Sequence, residues 1–190
     1  MADMQMRGYV LLSGADYLRK TVGEQKAAGV LDRLSPPVRE SLRTAKEATW
    51  CPVGHIGELY TAIAGLSNGD EARAQADLIA CGKYTAREAS NTFLRLFMKM
   101  LTPNLFAKKL PDIWSRDCTG GKILVEVRDD RIKNRLLEME GFDHVAPTAA
   151  GYVTFALETM GKSVTKTEVH GWSLTKPCQP DCWFEVHWKT

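Results

Sequence analysis

The sequence predicts an α+β fold in which N-terminal helices pack on a C-terminal antiparallel sheet of ββαββ order. Apolar residues recur every three or four positions through the first two-thirds of the chain, as they do in amphipathic helices. After Gly121 they alternate with polar residues, which is the period of a half-buried strand. Because 190 residues, 44% of them hydrophobic, suffice for one well-buried core, we expect a single domain over residues 1–190.

Glycine and proline separate the first helices. The run at residues 8–12 suits either a strand or the start of a helix, and a helical pattern follows from Ala15. The Ser-Pro-Pro segment at 35–37 begins a second helix, since proline fits the first turn of a helix and not its interior. Pro52 predicts a boundary before a third helix, because the residue preceding a proline avoids the helical conformation.

The fourth helix is predicted to follow an Asp70 cap. Its inner side is expected to carry residues that are mostly small and that permit another element to approach closely: Ala72, Ala76, Ile79 and Ala80. This close-packing surface suggests contact between two copies of the chain.

A break is predicted at Gly82, followed by a fresh helix. Thr85 and Glu88 have the Thr-x-x-Glu form of a capping box. The helix after them carries Phe93 and Phe97 on one face and is expected to be central to the core.

The C-terminal elements alternate between strands and helices. A short amphipathic helix over 105–114 leads to a first strand that begins after Gly121. Residues 131–138 fit a helix or a strand, and we expect a strand because the first strand needs a neighbour. Pro147 opens a helix, and the final strands are expected over 163–172 and 182–188. In the last of these, Cys182 and Phe184 face the core, while Glu185 and His187 form an outward polar pair.

Composition excludes several classes of protein. The formal net charge is only +2, and no run concentrates basic residues, so a nucleic-acid or membrane-surface protein is not expected. No apolar run reaches the roughly 18 residues of a membrane span, and the N-terminus has no signal-peptide core. Five cysteines, an odd number, indicate a reducing compartment, so we expect a cytoplasmic protein.

Aromatic and histidine side chains are the candidate ligand-binding residues. Apolar pockets use few polar groups to orient a ligand. The two histidines in the set suit that role, and equally suit hydrogen-bonded structural positions. The candidates are Trp50, His55, Phe93, Phe97, Phe142, His144, Tyr152 and Phe155.

Two cysteines four residues apart suggest a metal site. Cys178 and Cys182, with Glu168 and His170 upstream, supply four ligands of the types that zinc binds. Two unlinked thiols and a local disulfide are the alternatives. A catalytic cysteine paired with His170 is a further hypothesis, although the sequence has no recognised catalytic spacing, and no catalytic residue is assigned.

Several segments resemble known families. WCPV at 50–53, LPDIW at 110–114, GFDH at 141–144 and HGWSL at 170–174 resemble an uncharacterised myxobacterial protein family of about this length. More remotely, the element order, ending in CWFEV at 182–186, is similar to the superfamily of haem-nitric-oxide-binding, vinyl-reductase-type (4VR) and TRAPP small-subunit domains.

The remote resemblance implies a ligand-binding or interaction module, often dimeric, with an apolar cavity between helices and sheet. The vinyl-reductase-type domains bind zinc through Cys and Glu residues near the C-terminus. Cys182 matches one such cysteine, but the earlier one falls at Leu174, so Cys178 would have to replace it. Haem-binding members contact the haem propionates through Tyr-x-Ser-x-Arg, which this sequence lacks, and we therefore expect no haem.

The function predicted from these observations is that of a non-enzymatic sensory or carrier domain that binds a small apolar molecule or lipid. No cofactor is predicted for this domain, with zinc as the alternative. The alternative is a protein-interaction module, a homodimer that docks a signalling or trafficking partner without any ligand.

Overall fold

The computed structural model describes residues 4–90, 96, 98–180 and 182–189. Within these ranges the helices are α1 (Gly8–Val22), α2 (Glu24–Leu31), α3 (Pro36–Thr44), α4 (Val53–Gly65), α5 (Glu71–Ala89), α6 (Pro103–Asp117) and α7 (Val145–Thr159). The strands are β1 (Gln5–Arg7), β2 (Trp50–Pro52), β3 (Lys122–Val127), β4 (Arg131–Leu137), β5 (Ser163–His170) and β6 (Trp183–Lys189). The predicted α+β class, with helices first and the main sheet last, is confirmed.

The main sheet is antiparallel and has the spatial order β3-β4-β6-β5. Along the chain β3 and β4 precede α7, and β5 and β6 follow it, which confirms the ββαββ order. A second, two-stranded sheet pairs β1 with β2, and Met6 in β1 also bridges to Cys118 at the end of α6. The N-terminus is thereby held next to α6.

The last strand confirms the predicted alternation. Phe184 and Val186 are fully buried on the side of the sheet that faces the helices, and Trp188 is nearly so. Glu185 and His187 lie on the other side and are partly exposed. We call these the inner and outer faces of the sheet.

Helices α5 and α7 pack against each other through glycine. A Cβ atom built on Gly82 would lie 1.9 Å from the carbonyl oxygen of Thr148, and one built on Gly151 would lie 2.0 Å from that of Ile79. The predicted break at Gly82 is wrong, because α5 continues without interruption to Ala89. Gly82 does not end the helix; it lets α7 approach it.

The predicted inner side of α5 is also wrong in register. Its core residues are Ala74, Leu78 and Cys81, all fully buried, whereas Ala72 and Ala76 are exposed. Asp70 does cap the helix, since its side chain accepts a hydrogen bond from the Arg73 backbone N–H. The cap was readable from the sequence, but the face that packs depends on the position of α7.

Two further predictions concern residues 8–12 and the segment that follows α5. The run at 8–12 is the start of α1 rather than a strand. The predicted central helix with Phe93 and Phe97 falls mostly on residues 91–95 and 97, outside the described residues. Among the helices of the described ranges, none is long and apolar enough to cross a membrane.

Candidate functional site

A pocket lies between α6, α7 and the inner face of the main sheet, and α1, α4 and α5 complete its wall. Its internal free volume is about 80 Å³. That is room for several waters or a small organic molecule. The lining is almost wholly apolar and comprises Met6, Tyr9, Val10, Tyr60, Gly82, Thr85, Leu110, Ile113, Trp114, Asp117, Ile123, Phe142, Val145, Thr148, Ala149, Tyr152, Val153 and Phe184.

Two helices supply a regular stripe each to this lining. On α7 the lining positions are 145, 148, 149, 152 and 153, and on α6 they are 110, 113, 114 and 117. Spacings of three and four residues place side chains on one face of a helix. Phe142, just before α7, packs between the rings of Tyr60 and Trp114, at 6.4 Å from each ring centroid. The aromatic wall therefore draws on three separate parts of the chain.

One end of the pocket is polar. Arg116 holds the Asp117 carboxylate with two hydrogen bonds, at 2.9 and 2.6 Å, and the Tyr9 hydroxyl donates to the same carboxylate at 3.2 Å. Burial, with Asp117 nearby, raises the pKa of Tyr9 and of Tyr152 above the ordinary value of a phenol. Both phenols therefore stay protonated at neutral pH and can donate hydrogen bonds.

The predicted ligand-binding residues divide into three groups. Phe142 and Tyr152 line the pocket. Phe93 and Phe97 lie outside the described residues. The remaining four, Trp50, His55, His144 and Phe155, lie elsewhere in the fold and are not part of the described lining.

The residues that lie elsewhere have other contacts. The guanidinium of Arg7 lies 3.8 Å above the centre of the Trp50 ring, and His55 Nδ1 lies 2.8 Å from the Ser41 hydroxyl. Phe155 is on α7 but off the stripe that faces the pocket, and it is half-buried. The Trp50 contact thus joins β1 to β2, and the His55 contact joins α3 to α4.

His144 joins three segments of the chain. The indole N–H of Trp172 donates to His144 Nδ1 at 3.2 Å, so Nδ1 is an acceptor and the ring proton is on Nε2, which lies 3.2 Å from the Thr61 hydroxyl. The backbone N–H of His144 donates to the Pro177 carbonyl. The residue is 1% exposed and has a left-handed backbone with φ of 61°. It fixes the start of α7 against α4 and against the segment of Trp172 and Pro177 that follows β5.

Stability should depend on pH through His144. Burial lowers its pKa below the ordinary value of 6.5. The unfolded chain then takes up a proton more readily than the folded protein, so the stabilisation is complete above about pH 6.5 and is lost as the pH falls through the lowered pKa. Urea denaturation at pH 7.5 and 5.0 should show a smaller pH-dependent loss in His144→Asn than in the wild type. Asparagine suits the left-handed backbone and does not titrate. Equal losses in the two proteins would contradict this assignment.

The predicted metal ligands do not form one cluster. The Cys178 thiol donates to the Met139 carbonyl at 2.9 Å, and the Cys182 thiol donates to the His170 carbonyl at 3.4 Å. The His170 ring stacks on Trp183 with 3.8 Å between centroids. Both cysteines are free, and burial raises the pKa of Cys182 to about 12. Of the alternatives, the described structure has the two unlinked thiols, and zinc binding stays a prediction.

Glu168 belongs to a different cluster on the outer face of the main sheet. It lies directly opposite Glu185 on the neighbouring strand, and His187 Nε2 lies 3.1 and 3.2 Å from the two carboxylates. This group has its ligand atoms within 4.8 Å of one another, as a metal ion requires. Lys166, 2.7 Å from Glu168, supplies part of the compensating charge and lowers the pKa of Glu168. The predicted outward pairing of Glu185 with His187 is confirmed.

Sequence reasoning missed the contributions of α1, α5 and α6 to the pocket. Tyr9, Thr85 and Trp114 line it, although they are far apart along the chain. Of these three residues, Trp114 could most readily be predicted from the sequence. It lies on the amphipathic helix expected over 105–114, three or four residues from other residues of the lining. The sequence gave no indication that Thr85 lines the pocket, because threonine also caps helices and Thr85 was predicted to do so.

Comparisons with known proteins support the fold through structure alone. No family model and no curated protein matches the chain. An H-NOX protein from S. oneidensis, solved in the Fe(II)NO ligation state, has a TM-score of 0.68 at 12% identity, with 97% of this chain and 100% of that chain covered. A Cs H-NOX mutant has a TM-score of 0.67 at 10% identity, with 97% of each chain covered. The resemblance to a myxobacterial family stays a prediction, whereas the remote similarity to haem-nitric-oxide-binding domains is confirmed at the level of fold.

These comparisons overturn the expectation about haem. A third structure, described as modulating heme redox potential through protein-induced porphyrin distortion, has a TM-score of 0.58 at 9% identity, with 97% of this chain and 100% of that chain covered. The expectation of no haem, based on the missing Tyr-x-Ser-x-Arg segment, is wrong, because one motif cannot exclude a cofactor that proteins of the same fold carry.

Proposed function

We propose that this protein is a sensory or carrier domain that holds a small ligand in the pocket between α6, α7 and the main sheet. The observation that carries the proposal is a pocket with apolar walls inside the core, open at its mouth and polar at the Asp117 end. Ligand sites in proteins are concave and mostly apolar, with a few placed polar groups. The fold supports the same role, because its solved neighbours include a protein with Fe(II)NO bound.

Haem is one candidate for the ligand. The aromatic and aliphatic walls suit the faces of a porphyrin, and the described lining offers Met6, Tyr9, Tyr60 and Tyr152, whose residue types ligate haem iron in other proteins. Histidine and cysteine do not occur in that lining, and its charged side chain is the negative Asp117. The lining residues thus suit the apolar porphyrin ring better than the negatively charged propionates of a haem. Haem, when bound, would supply an iron centre for a diatomic gas.

A small apolar molecule or a lipid is the other candidate. Such a ligand needs no axial side chain, and mostly apolar walls are common in small-molecule sites. The carrier role would then rest on the pocket walls alone. A role without catalysis, as expected from the sequence, stays a prediction.

The ligand content of the purified protein tests the proposal. An absorption spectrum with a Soret band would identify haem, and mass spectrometry of an organic-solvent extract would identify another molecule. Protein obtained empty should be titrated with 2-naphthol and with haemin while the resonances of pocket residues are followed by NMR. Protein that carries neither class of molecule, and whose pocket resonances respond to neither probe, would contradict the proposed function.

The homodimer predicted from the sequence is a second, independent proposal. The dimer was predicted from the small residues on one side of α5, and two of them, Ala72 and Ala76, lie on the surface. The close packing through Gly82, however, is used within the chain by α7. Dimerisation therefore stays a prediction.

A further inference from the structure

Thr85 is a buried pocket residue with an unused hydroxyl. It lies on α5, is 4% exposed and lines the pocket. Its Oγ1 has no hydrogen-bond partner among the described residues. The Cys81 thiol, one turn earlier, is the nearest polar group: burial raises the pKa of this thiol and a side-chain hydrogen bond with Thr85 opposes that rise, but sulfur is a weak hydrogen-bond partner. A buried hydroxyl left without a partner is unfavourable, because it has lost its hydrogen bonds to water.

The other threonines within the described helices differ from Thr85. Each donates its hydroxyl to the backbone carbonyl four residues earlier, which is the usual local solution for threonine in a helix. They are Thr21, Thr44, Thr61, Thr148, Thr154 and Thr159. Thr85 does not donate to the backbone carbonyl four residues earlier, although α5 continues on both sides of it. Its hydroxyl therefore lacks the local partner that the other helical threonines have.

Two other hydroxyl groups of the pocket, those of Thr148 and Tyr9, are already engaged within the chain. The Thr148 hydroxyl donates to the carbonyls of His144 and Val145, and the Tyr9 hydroxyl donates to Asp117. Neither bond needs a ligand. Of the residues that α5 contributes to the described lining, Gly82 and Thr85, only Thr85 has a polar side chain.

We propose that the ligand has an apolar body and a hydrogen-bonding oxygen or nitrogen atom, and that Thr85 binds this atom and selects for it. The inference rests on the proposed function, since it assigns the ligand class of the same pocket. It distinguishes the site from a purely hydrocarbon-binding cavity, in which a valine would serve as well as a threonine.

Paired probes and paired variants test this inference. Naphthalene and 2-naphthol share one apolar body and differ by a hydroxyl. Thr85→Val removes the protein hydroxyl and keeps the branched shape, whereas Thr85→Ser keeps the hydroxyl. In NMR titrations that follow pocket resonances, the wild type should bind 2-naphthol about 3- to 10-fold more tightly than naphthalene, the range expected for one net hydrogen bond. Thr85→Val should bind the two probes equally, and Thr85→Ser should retain the preference.

The unfolding midpoint adds an independent readout. Because the hydroxyl has no partner in the free protein, Thr85→Val should unfold at the same temperature as the wild type or a higher one. A clearly lower midpoint would show that the hydroxyl has a structural partner and would overturn the inference. A preference for 2-naphthol that persists in Thr85→Val would also overturn it and would leave the pocket function intact. If neither probe moves the pocket resonances of the wild type, the proposed function fails and this inference fails with it.

Discussion

Replacing Gly151 by alanine should lower the free energy of unfolding by about 3 kcal/mol or more, near the upper end of overpacking effects. The added Cβ would lie 2.0 Å from the Ile79 carbonyl oxygen and 2.8 Å from the Lys83 backbone nitrogen. Both are backbone atoms of α5, so no side chain can rotate away, and the two helices must separate. Urea denaturation measures the change, and a melting midpoint about 10 °C lower should accompany it.

Gly29 provides the matched control. It lies inside α2, and a Cβ atom built on it meets nothing within 4 Å. Gly29→Ala should therefore leave the stability unchanged or raise it by about 0.5–1 kcal/mol, because alanine loses less backbone freedom on folding. If Gly151→Ala behaved like Gly29→Ala, the close approach of α5 and α7 would be wrong, and with it one wall of the pocket.

Ala149→Leu should abolish most ligand binding while the fold persists. Ala149 lies on the α7 stripe that faces the pocket, so a longer side chain there occupies the ligand's space. Forcing a ligand and the new side chain into one cavity costs about 1–3 kcal/mol, which corresponds to roughly 5- to 150-fold weaker binding. In the free protein the leucine fills empty space and should not destabilise it. An NMR titration with 2-naphthol and a melting curve measure the two effects.

Ala28→Leu is the control for this substitution. Ala28 is an exposed residue of α2, distant from the pocket lining. Its replacement should change neither the affinity for 2-naphthol nor the melting midpoint appreciably. Unchanged affinity in Ala149→Leu, with pocket resonances that still respond, would place the ligand elsewhere and would contradict the site.

The sequence predicted the elements that depend on local chemistry. Asp70 caps α5, since a capping side chain meets orphan N–H groups of its own helix. The alternation along β6 identified Phe184 as buried and Glu185 as outward, because a period of two fixes the faces of a strand. These features involve residues only a few positions apart.

The candidate site was only partly predictable, because its chemistry depends on distant partners. Cys178 and Cys182 have the spacing of zinc ligands, yet each thiol bonds a backbone carbonyl from another segment. Glu168 was expected to join them and instead faces Glu185 and His187, since strand pairing brought these side chains together. For His144 the sequence left open a pocket position or a hydrogen-bonded structural position, and its bonds to Trp172 and Thr61 correspond to the second.

What the sequence determined by itself was the order of the C-terminal strands and helix, the Asp70 cap and the α+β class, all of which follow from periodicity and local hydrogen bonding. The tertiary structure decided how these elements enclose a pocket. Gly82 illustrates the difference: glycine permits either the end of a helix or close contact with a neighbour, and only the position of Thr148 on α7 selects the contact. Thr85 illustrates it again, because its hydroxyl can cap a helix or face a ligand, and the packing of α5 against α7 and the pocket decides between them.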